Sequence, residues 1–461
     1  MTDMFLNQMK QFLGPSGVLL GDDVTSRSCD PLKVVSTTAK AILRPKTTSE
    51  VCEVVRSAAR HNVAIVVHGG RTGVSGGAYA EPEEIVISLE RMNEIEAVDA
   101  VNQTIVAQAG VTLQQLQEAA AAEGMYYPVD LGARGTATVG GTLATNAGGN
   151  RTLRWGMTRD RVMGLEVVLP DGELVSSMHR LIKNNTGYDL KHLFIGAEGT
   201  LGIITKAVFR LVPAPTSHEV VLMALPDYDS VLTTLNAAQK LSSLSAFELM
   251  YRSFYDAVAS EKQDSLPLPP GQPYYVLIEI MGYNPDQDRD IFETFLSGLY
   301  ERMPFIEIVL AQSEAQRAAI WGVRESIEAA VKTILPCMTY DVSLEVGDID
   351  DYVRGLESVL GRYPHAKMIV NGHIGDNNIH LGVSIGPETL QRADEVNDIV
   401  YRPLVRYQGS MSAEHGIGTT KNEYLHITRS NEEVELMRRI KQVIDPHNRM
   451  NRRVIFPVEQ N

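Results

Sequence analysis

Two short stretches near the C-terminal end gather side chains that bind metals or move protons: NGHIGDNNIH (371–380) and SAEHGIG (412–418). His380 follows His373 by seven positions. On one continuous strand that odd separation would put the two on opposite faces. A hairpin changes this. Residues 367–374 read as a strand, GDNN (375–378) as a turn with Asp376-Asn377 at its tip, and 379–385 as the returning strand. His373 and His380 then face each other with Cβ atoms about 5 Å apart, close enough to share a metal. Glu414 offers a hard oxygen ligand and His415 an imidazole beside it. Two histidines and one carboxylate are a common set for zinc or another divalent metal, with positions left open for substrate. Buried, hydrogen-bonded histidines would account for the same residues, and spacing alone does not separate these readings.

A second kind of chemistry resides in small residues. HGGRTGVSGGA (68–78), PVDLGARGTATVGGTLATNAGG (128–149) and IGAEGTLGIIT (195–205) are rich in Gly, Ala and Thr. Small residues let main chain approach a flat or charged ligand closely. Three such segments in this order point to one extended cofactor wrapped in backbone. Neither GxGxxG nor GxxxxGK[ST] occurs, so a Rossmann dinucleotide site and a P-loop are poorly supported. Main-chain N–H groups in 68–78 could still hold a pyrophosphate.

The elements that must position these groups follow a rhythm of strands and helices. The N-terminal MTDMFLNQMKQFLGPSG reads as a short amphipathic helix rather than a signal peptide. Helices are predicted over 47–62, with Glu50 in the first turn, and over 111–124, with Thr112 near the start and Gly124 as the stop. Strands are predicted at 64–67, 84–89 and 104–110, and Pro170-Asp171-Gly172 marks a hairpin. A new rhythm begins after 213, with strands EVVLMALP and YYVLIEIMG, and SEKQDSLPLPPGQP (260–273) reads as an exposed loop. The domains expected are 1–213 with a subdomain break near 98, 214–443 carrying the histidine motifs, and a segment 444–461 that returns to the first domain.

The 461 residues suffice for two or three domains, and 44 % hydrophobic with 21 % charged residues is globular composition. A net charge of -15 disfavours nucleic acid as a partner. A small anionic substrate stays open, because a few local cations override the global sign. Cys29, Cys52 and Cys337 form no CxxC pair, which argues against a disulfide framework or a cysteine zinc site. No run approaches ~18 apolar residues, so no transmembrane segment is expected and the default location is cytoplasmic.

The motifs VVHGGRTGVSGGA, GTATVGGTLATNAGGNRTLRWG and NNTGYDLKHLFIGAEGTLGIIT, with GHIGDNNIH and AEHGIG, resemble the vanillyl-alcohol oxidase/p-cresol methylhydroxylase superfamily. They resemble most its FAD-dependent D-2-hydroxyacid dehydrogenase branch, which includes D-lactate and D-2-hydroxyglutarate dehydrogenases. The resemblance implies an α+β class: a two-subdomain FAD-binding domain of the vanillyl-alcohol oxidase type plus an α+β substrate (cap) domain with an antiparallel sheet. It implies that Gly69, Gly70, Thr72, Gly73, Ser75 and Gly76 hold the FAD pyrophosphate. Thr138, Gly141, Thr142, Thr145, Asn146 and Gly148 would line the pyrophosphate and ring system. Glu198, Gly199 and Ile203 would complete the adenine side, with Asn451 coming back from the C-terminus. Threonine hydroxyls and amides suit flavin and phosphate oxygens. Attachment is expected to be non-covalent: the usual histidine place holds Arg71, and His68 reads as a packed or hydrogen-bonding residue. Arg71 could face the pyrophosphate or solvent.

The same resemblance makes His373, His380 and Glu414 the ligands of a divalent metal, with zinc the one expected, and His415 the general base. Arg324, in AIWGVRES, matches a substrate-carboxylate arginine, whose planar fork suits a carboxylate; a surface salt bridge with Glu325 or Glu328 is the alternative. Asn378 would support the site by hydrogen bonds. Lys421 reads equally well as solvated, and Tyr188 and Asp189 as pocket-shaping or structural. The expected reaction oxidises a D-2-hydroxy acid to the 2-oxo acid by hydride transfer to flavin. Its electron acceptor would be an electron-transfer flavoprotein, a quinone or a cytochrome, and a homodimer stays open. An oxygen-using oxidase and an inert flavin-binding regulatory protein are the alternatives. Members specific for 2-hydroxyglutarate carry added groups for a second carboxylate, and three depart here: a Thr position holds Glu328, a Lys position Thr339 and an Asn position Gly382. Substrate specificity is expected to be set by 260–273 and 315–335.

Overall fold

A computed structural model describes residues 2–262 and 266–458. They form two compact units: Met1–Gly149, Gly156–Ala214 and Glu414–Asn461 make one, Asn150–Trp155 and Pro215–Ala413 the other. The chain thus rejoins the first unit at Glu414 rather than at 444, and residues 150–155 belong with the second. Side-chain anchoring explains both changes. Residues 415–420 are hydrogen-bonded to Ser75 and Glu198 of the first unit. Arg151 and Arg154 are bound to Glu279 and to the carbonyls of Ser243 and Met281 in the second.

Besides a two-stranded ladder of Met125–Tyr126 with Val212–Pro213, the first unit holds two larger sheets. In the smaller one the order is Val18–Leu19, Ala41–Leu43, Ile85–Ser88, Ile65–His68, and the last three pair in parallel. The helix Thr48–Arg60 starts where Thr47 accepts the Glu50 amide, and Glu50 accepts in return from Lys46 N at 2.6 Å. Val51, Val54, Val55 and Ala58 recur at helical spacing and bury against Ala41, Leu43, Ile65 and Ile85. The amphipathic helix Thr2–Leu13 adds Phe5 and Met9 to that core. The larger, antiparallel sheet runs Ile95–Asp99, Thr104–Gln108, Ile203–Arg210, Val162–Val168, Leu174–Ser177. Its Ile105, Ala107 and Phe209 pack with Leu113, Leu116 and Ala120 of the helix Leu113–Ala122, which Thr112 and Gln115 close with a capping box. The C-terminal segment lies beside the strand Ile65–His68, with Ile65 N donating to Arg449 O and Asn451 N to Ile65 O.

One helix was hidden in the glycine stretch. Val139–Thr145 is helical, capped by Thr138. Each interior glycine costs about 1 kcal/mol of helix propensity, so the stretch reads as loop. Tertiary packing overrides this: a Cβ on Gly140 would meet the Ala109 Cβ at 2.9 Å, so the glycine permits close approach of helix to strand end.

The second unit is built on a seven-stranded sheet in the order Glu307–Leu310, Ser217–Leu225, Tyr274–Gly282, Leu244–Tyr251, Lys367–Gly372, Asn378–Ser384, Met338–Ser343. Every pairing is antiparallel. Cross-strand partners share a face, so Met250, Asn371, His380 and Asp341 form one row across it. Ala246, Met250, Tyr275 and Ile369 pack with residues of Arg252–Glu261, Glu314–Arg324 and Ile327–Lys332. Within the loop expected over 260–273, residues 263–265 lie outside the described residues. The remainder is not wholly exposed: Leu268 is buried, and its carbonyl accepts from Tyr255 Oη at 2.9 Å.

Candidate active site

The three small-residue segments converge in the first unit on a cavity of about 340 Å³, within the range of small-molecule sites. Gly69, Gly70, Thr72, Gly73 and Ser75, then Gly141, Thr142 and Thr145, then Glu198, Gly199 and Ile203, and finally Asn451 line it. Four expected residues stand outside this lining. Thr138 accepts the Gly141 amide as the helix cap. Asn146 ends that helix at φ +51°, with its side-chain oxygen taken by the Arg159 amide. Gly76 is packed so that a Cβ would meet Thr419 Oγ1 at 2.4 Å. Gly148 is likewise not part of the wall. Arg71, half-buried, does line the cavity, and burial followed by the charge of Arg27 makes its guanidinium less basic than usual. His68 is fully buried and does not reach the lining. Its Nε2 donates to Ala78 O at 2.8 Å, and burial pushes the imidazole down to about 4.

Glu414 and His415 also stand in the cavity wall. The Gly149 amide donates to Glu414 Oε2 at 3.1 Å, and His415 Nε2 lies 3.8 Å from Glu414 Oε1. Ser75 Oγ donates to the carbonyls of His415 and Gly416, each at 3.1 Å. Glu198, expected on the adenine side, accepts instead from the amides of Ile417 (2.8 Å) and Gly418 (2.9 Å). Lys421 is buried rather than solvated, and its charge acts on Glu198. Tyr188 is 95 % exposed and Asp189 is paired with Lys191, so neither shapes the cavity.

In the second unit the hairpin pairing differs from the expected one. His380 faces Asn371, not His373. The strand ends at Gly372, a 3-10 turn covers Ile374–Asp376, and Asn377 takes φ +74°. The register is offset by two, and an even offset preserves the faces. The two imidazoles therefore still meet, with ring centres 5.3 Å apart.

His373 is held by a residue that sequence reasoning missed. Glu248 is buried; its Oε1 accepts from His373 Nδ1 at 2.8 Å and its Oε2 from Arg324 Nε at 2.7 Å. Arg324 Nη2 is 3.4 Å from His373 Nε2. Burial pushes the Glu248 carboxyl up, but the charges of His373 and Arg324 and their hydrogen bonds reverse this and hold it below the ordinary range. Arg324 is thus no surface ion pair. Asp341, also missed, is buried with Oδ1 at 3.7 Å from His380 Nδ1. Its Oδ2 accepts from the amide of Ala413, the residue that leads directly into Glu414. A signal for both existed: each is a lone carboxylate inside an apolar strand run, SAFELMY and MTYDVSL, and buried charge is costly unless paired. Asn378 is buried, and no hydrogen bond to its Oδ1 comes from the described residues. Glu328 is exposed and bridged to Lys332 at 3.0 Å, so it adds no inward negative charge. Thr339 is exposed. The space beside Gly382 is filled by Ile369 and Ile334, whose atoms a Cβ would meet at 2.8 and 3.0 Å.

The family model for the C-terminal domain of FAD linked oxidases matches residues 214–455, and one for an FAD binding domain matches 39–177. The chain belongs to the FAD-linked oxidase family. A D-2-hydroxyglutarate dehydrogenase of Stutzerimonas stutzeri is 36 % identical, over 99 % of this chain and 100 % of that protein. Another, of Xanthomonas citri pv. viticola, is 40 % identical over 90 % and 89 %. A putative mitochondrial D-lactate dehydrogenase of Schizosaccharomyces pombe is 35 % identical over 88 % and 80 %. The fold is shared with substrate-bound p-cresol methylhydroxylase, at a TM-score of 0.79, 16 % identity and coverage of 100 % and 98 %. It is shared also with 4-ethylphenol oxidase of Gulosibacter chungangensis, at 0.77, 17 %, 99 % and 97 %.

The cavity of this FAD-linked oxidase family member fits a flavin nucleotide by one test in particular. Gly73 and Gly132 line it, yet a Cβ on either would meet no protein atom within 4 Å, and neither has a positive φ. Space is kept there that no packing demand explains. Gly69 and Gly70 differ: a Cβ would strike Thr138 Oγ1 at 2.5 Å and Thr136 O at 2.0 Å, so those two bring the first loop against the second. Among the described residues no helix is long and apolar enough to cross a membrane.

Proposed function

We propose that the chain is an FAD-dependent dehydrogenase that oxidises D-2-hydroxy acids to 2-oxo acids. The observation that carries this is His415, an imidazole in the wall of the flavin cavity. FAD bound there supplies the hydride acceptor for the substrate C2–H. His415 takes the hydroxyl proton, the task of a general base, for which an imidazole nitrogen is the common choice. Arg324 receives the substrate carboxylate; Glu248 already holds the Nε edge of its guanidinium, so the Nη edge is the one that turns to substrate. His373, His380 and Glu414 would hold a divalent metal, zinc by the chemistry of the donor set, which would supply Lewis acidity at the substrate oxygens. The Asp341 carboxylate beside His380 supports that reading, since metal-binding imidazoles are commonly oriented by carboxylates. The flavin is non-covalent, and an electron-transfer flavoprotein, a quinone or a cytochrome takes the electrons.

Among D-2-hydroxy acids, those with short or apolar tails compete well with D-2-hydroxyglutarate. Ile334 and Ile369 occupy the space beside Gly382, and Thr339 brings no cation. A missing charge-assisted hydrogen bond is worth about 1.5–3 kcal/mol, or roughly ten- to a hundredfold in kcat/KM. The test is anaerobic addition of D-lactate, D-2-hydroxybutyrate, D-malate and D-2-hydroxyglutarate while the visible flavin absorbance is followed, then steady-state kinetics on each. Failure of every acid to bleach the flavin overturns the function. A preference for D-2-hydroxyglutarate beyond roughly a hundredfold over every monocarboxylate overturns the reading of the tail.

A further inference from the structure

Glu198 is a carboxylate in the wall of a cavity that must hold an anionic dinucleotide, which is an unfavourable place for negative charge. Its two oxygens are engaged elsewhere. Oε1 accepts from Ile417 N at 2.8 Å and Oε2 from Gly418 N at 2.9 Å, two and three residues beyond His415. Glu198 is itself clamped: its amide donates to Ala144 O at 2.8 Å and its carbonyl accepts from Asn451 Nδ2 at 2.6 Å. Its backbone stands at φ +50°, a costly conformation for a residue with a side chain, and this aims a rigidly held carboxylate at the loop. The loop has little freedom in return. Gly416 and Gly418 both have positive φ; a Cβ on Gly416 would meet the Glu198 carboxyl at about 2.9 Å, and one on Gly418 would meet Ser75 O at 1.8 Å. Ser75 Oγ binds the carbonyls of His415 and Gly416 from the other side, and Thr419 N donates to Ser75 O at 2.9 Å.

We infer that Glu198 is not a cofactor contact but a positioning residue that, with Ser75, fixes the loop carrying His415 in the wall of the flavin cavity. This rests on the proposed role of His415 as base. Glutamine at 198 keeps one acceptor oxygen but sets an NH2 group against the second loop amide, so one of the two clamps becomes donor against donor. A misplacement of the reacting group by the order of 1 Å costs about 100-fold in rate.

The experiment is a double-mutant cycle on the holoenzyme with Glu198→Gln, His415→Ala and the pair. It measures kcat and KM at saturating FAD, FAD affinity by fluorescence titration, and hydrogen exchange of the 416–418 amides. The expected result for Glu198→Gln is kcat lowered about 10- to 100-fold, KM and FAD affinity unchanged, faster exchange at 417 and 418, and no further loss in the His415→Ala background. Weaker FAD binding with kcat restored at saturating FAD makes Glu198 a cofactor contact and overturns the inference. A kcat loss that persists in full in the His415→Ala background overturns it as well. If His415→Ala alone keeps full kcat, the base assignment fails first, and that outcome is distinct from the other two. Ser75→Ala, which removes only the hydroxyl contacts to 415 and 416, gives the same kcat loss at saturating FAD and faster exchange at 416–418, at smaller amplitude, should Glu198→Gln fold poorly; the absence of any kcat effect in a folded Ser75→Ala overturns the clamp.

Discussion

Glu279 is a fully buried charge in the second unit, and its removal gives a prediction that depends on pH in a defined direction. Its Oε1 accepts from Arg151 Nε (3.0 Å) and Ser245 Oγ (2.8 Å), and its Oε2 from Arg151 Nη2 (3.1 Å), His218 Nε2 (2.6 Å) and Trp321 Nε1 (2.9 Å). Burial alone would raise its proton affinity, but Arg151, His218 and Ser245 outweigh that and bring it from 4.5 down to about 2. Each tenfold in proton affinity is worth about 1.4 kcal/mol, so the ionised form stabilises the fold by about 3 kcal/mol. The folded-state value is depressed, so this stability is fully present above pH 4.5 and is lost as pH falls towards about 2. Glu279→Gln removes the titrating group. At about pH 7 the variant is expected to be less stable by about 3–5 kcal/mol, the cost of leaving a buried cation without its partner. That gap narrows below pH 4.5 as the wild-type carboxyl protonates. Urea denaturation followed by tryptophan emission reads this unit selectively, because Trp155 and Trp321 are the only tryptophans in the chain and both belong to it. A gap that stays constant from neutral pH to the acid limit would refute the assignment of the depressed proton affinity to this network.

Two further outcomes are expected. Acid or heat should release FAD from the polypeptide, since His68 is buried, hydrogen-bonded to Ala78 and outside the cavity lining; flavin that stays with the denatured chain on a gel contradicts this. Glu248→Gln should weaken divalent metal binding about 10–100-fold while FAD stays bound, because the amide cannot accept from both His373 Nδ1 and Arg324 Nε. His380→Ala serves as the metal-free reference in the same chelator titration, and a Glu248→Gln protein with wild-type metal affinity would sink the role given to that carboxylate.

The parts of this protein legible in the sequence are those whose physics is local. Helix starts at Thr47 and Thr112 are capping arrangements within three residues, and the structure has both. The glycine segments announce a cavity because small residues are needed wherever backbone meets ligand or backbone, as Gly70 meets Thr136. The apolar runs at 220–225 and 274–278 lie in strands because buried stretches of a packed sheet read as continuous apolar runs. What the sequence could not decide is whatever depends on residues far apart in the chain. Glu248 meets Arg324 across 76 positions and His373 across 125, and no local pattern reports such a partner. The pairing of His380 with Asn371 follows from a 3-10 turn whose length is set by Asn377 entering the left-handed region, so the tip of the hairpin could not be placed by counting residues. Glu198 had the look of a cofactor ligand because it sits between glycines in a small-residue motif, yet its carboxylate serves a loop more than two hundred residues away. Local sequence sets which backbone can bend, cap or alternate, whereas a buried charge takes its role from whichever partner the tertiary fold brings to it.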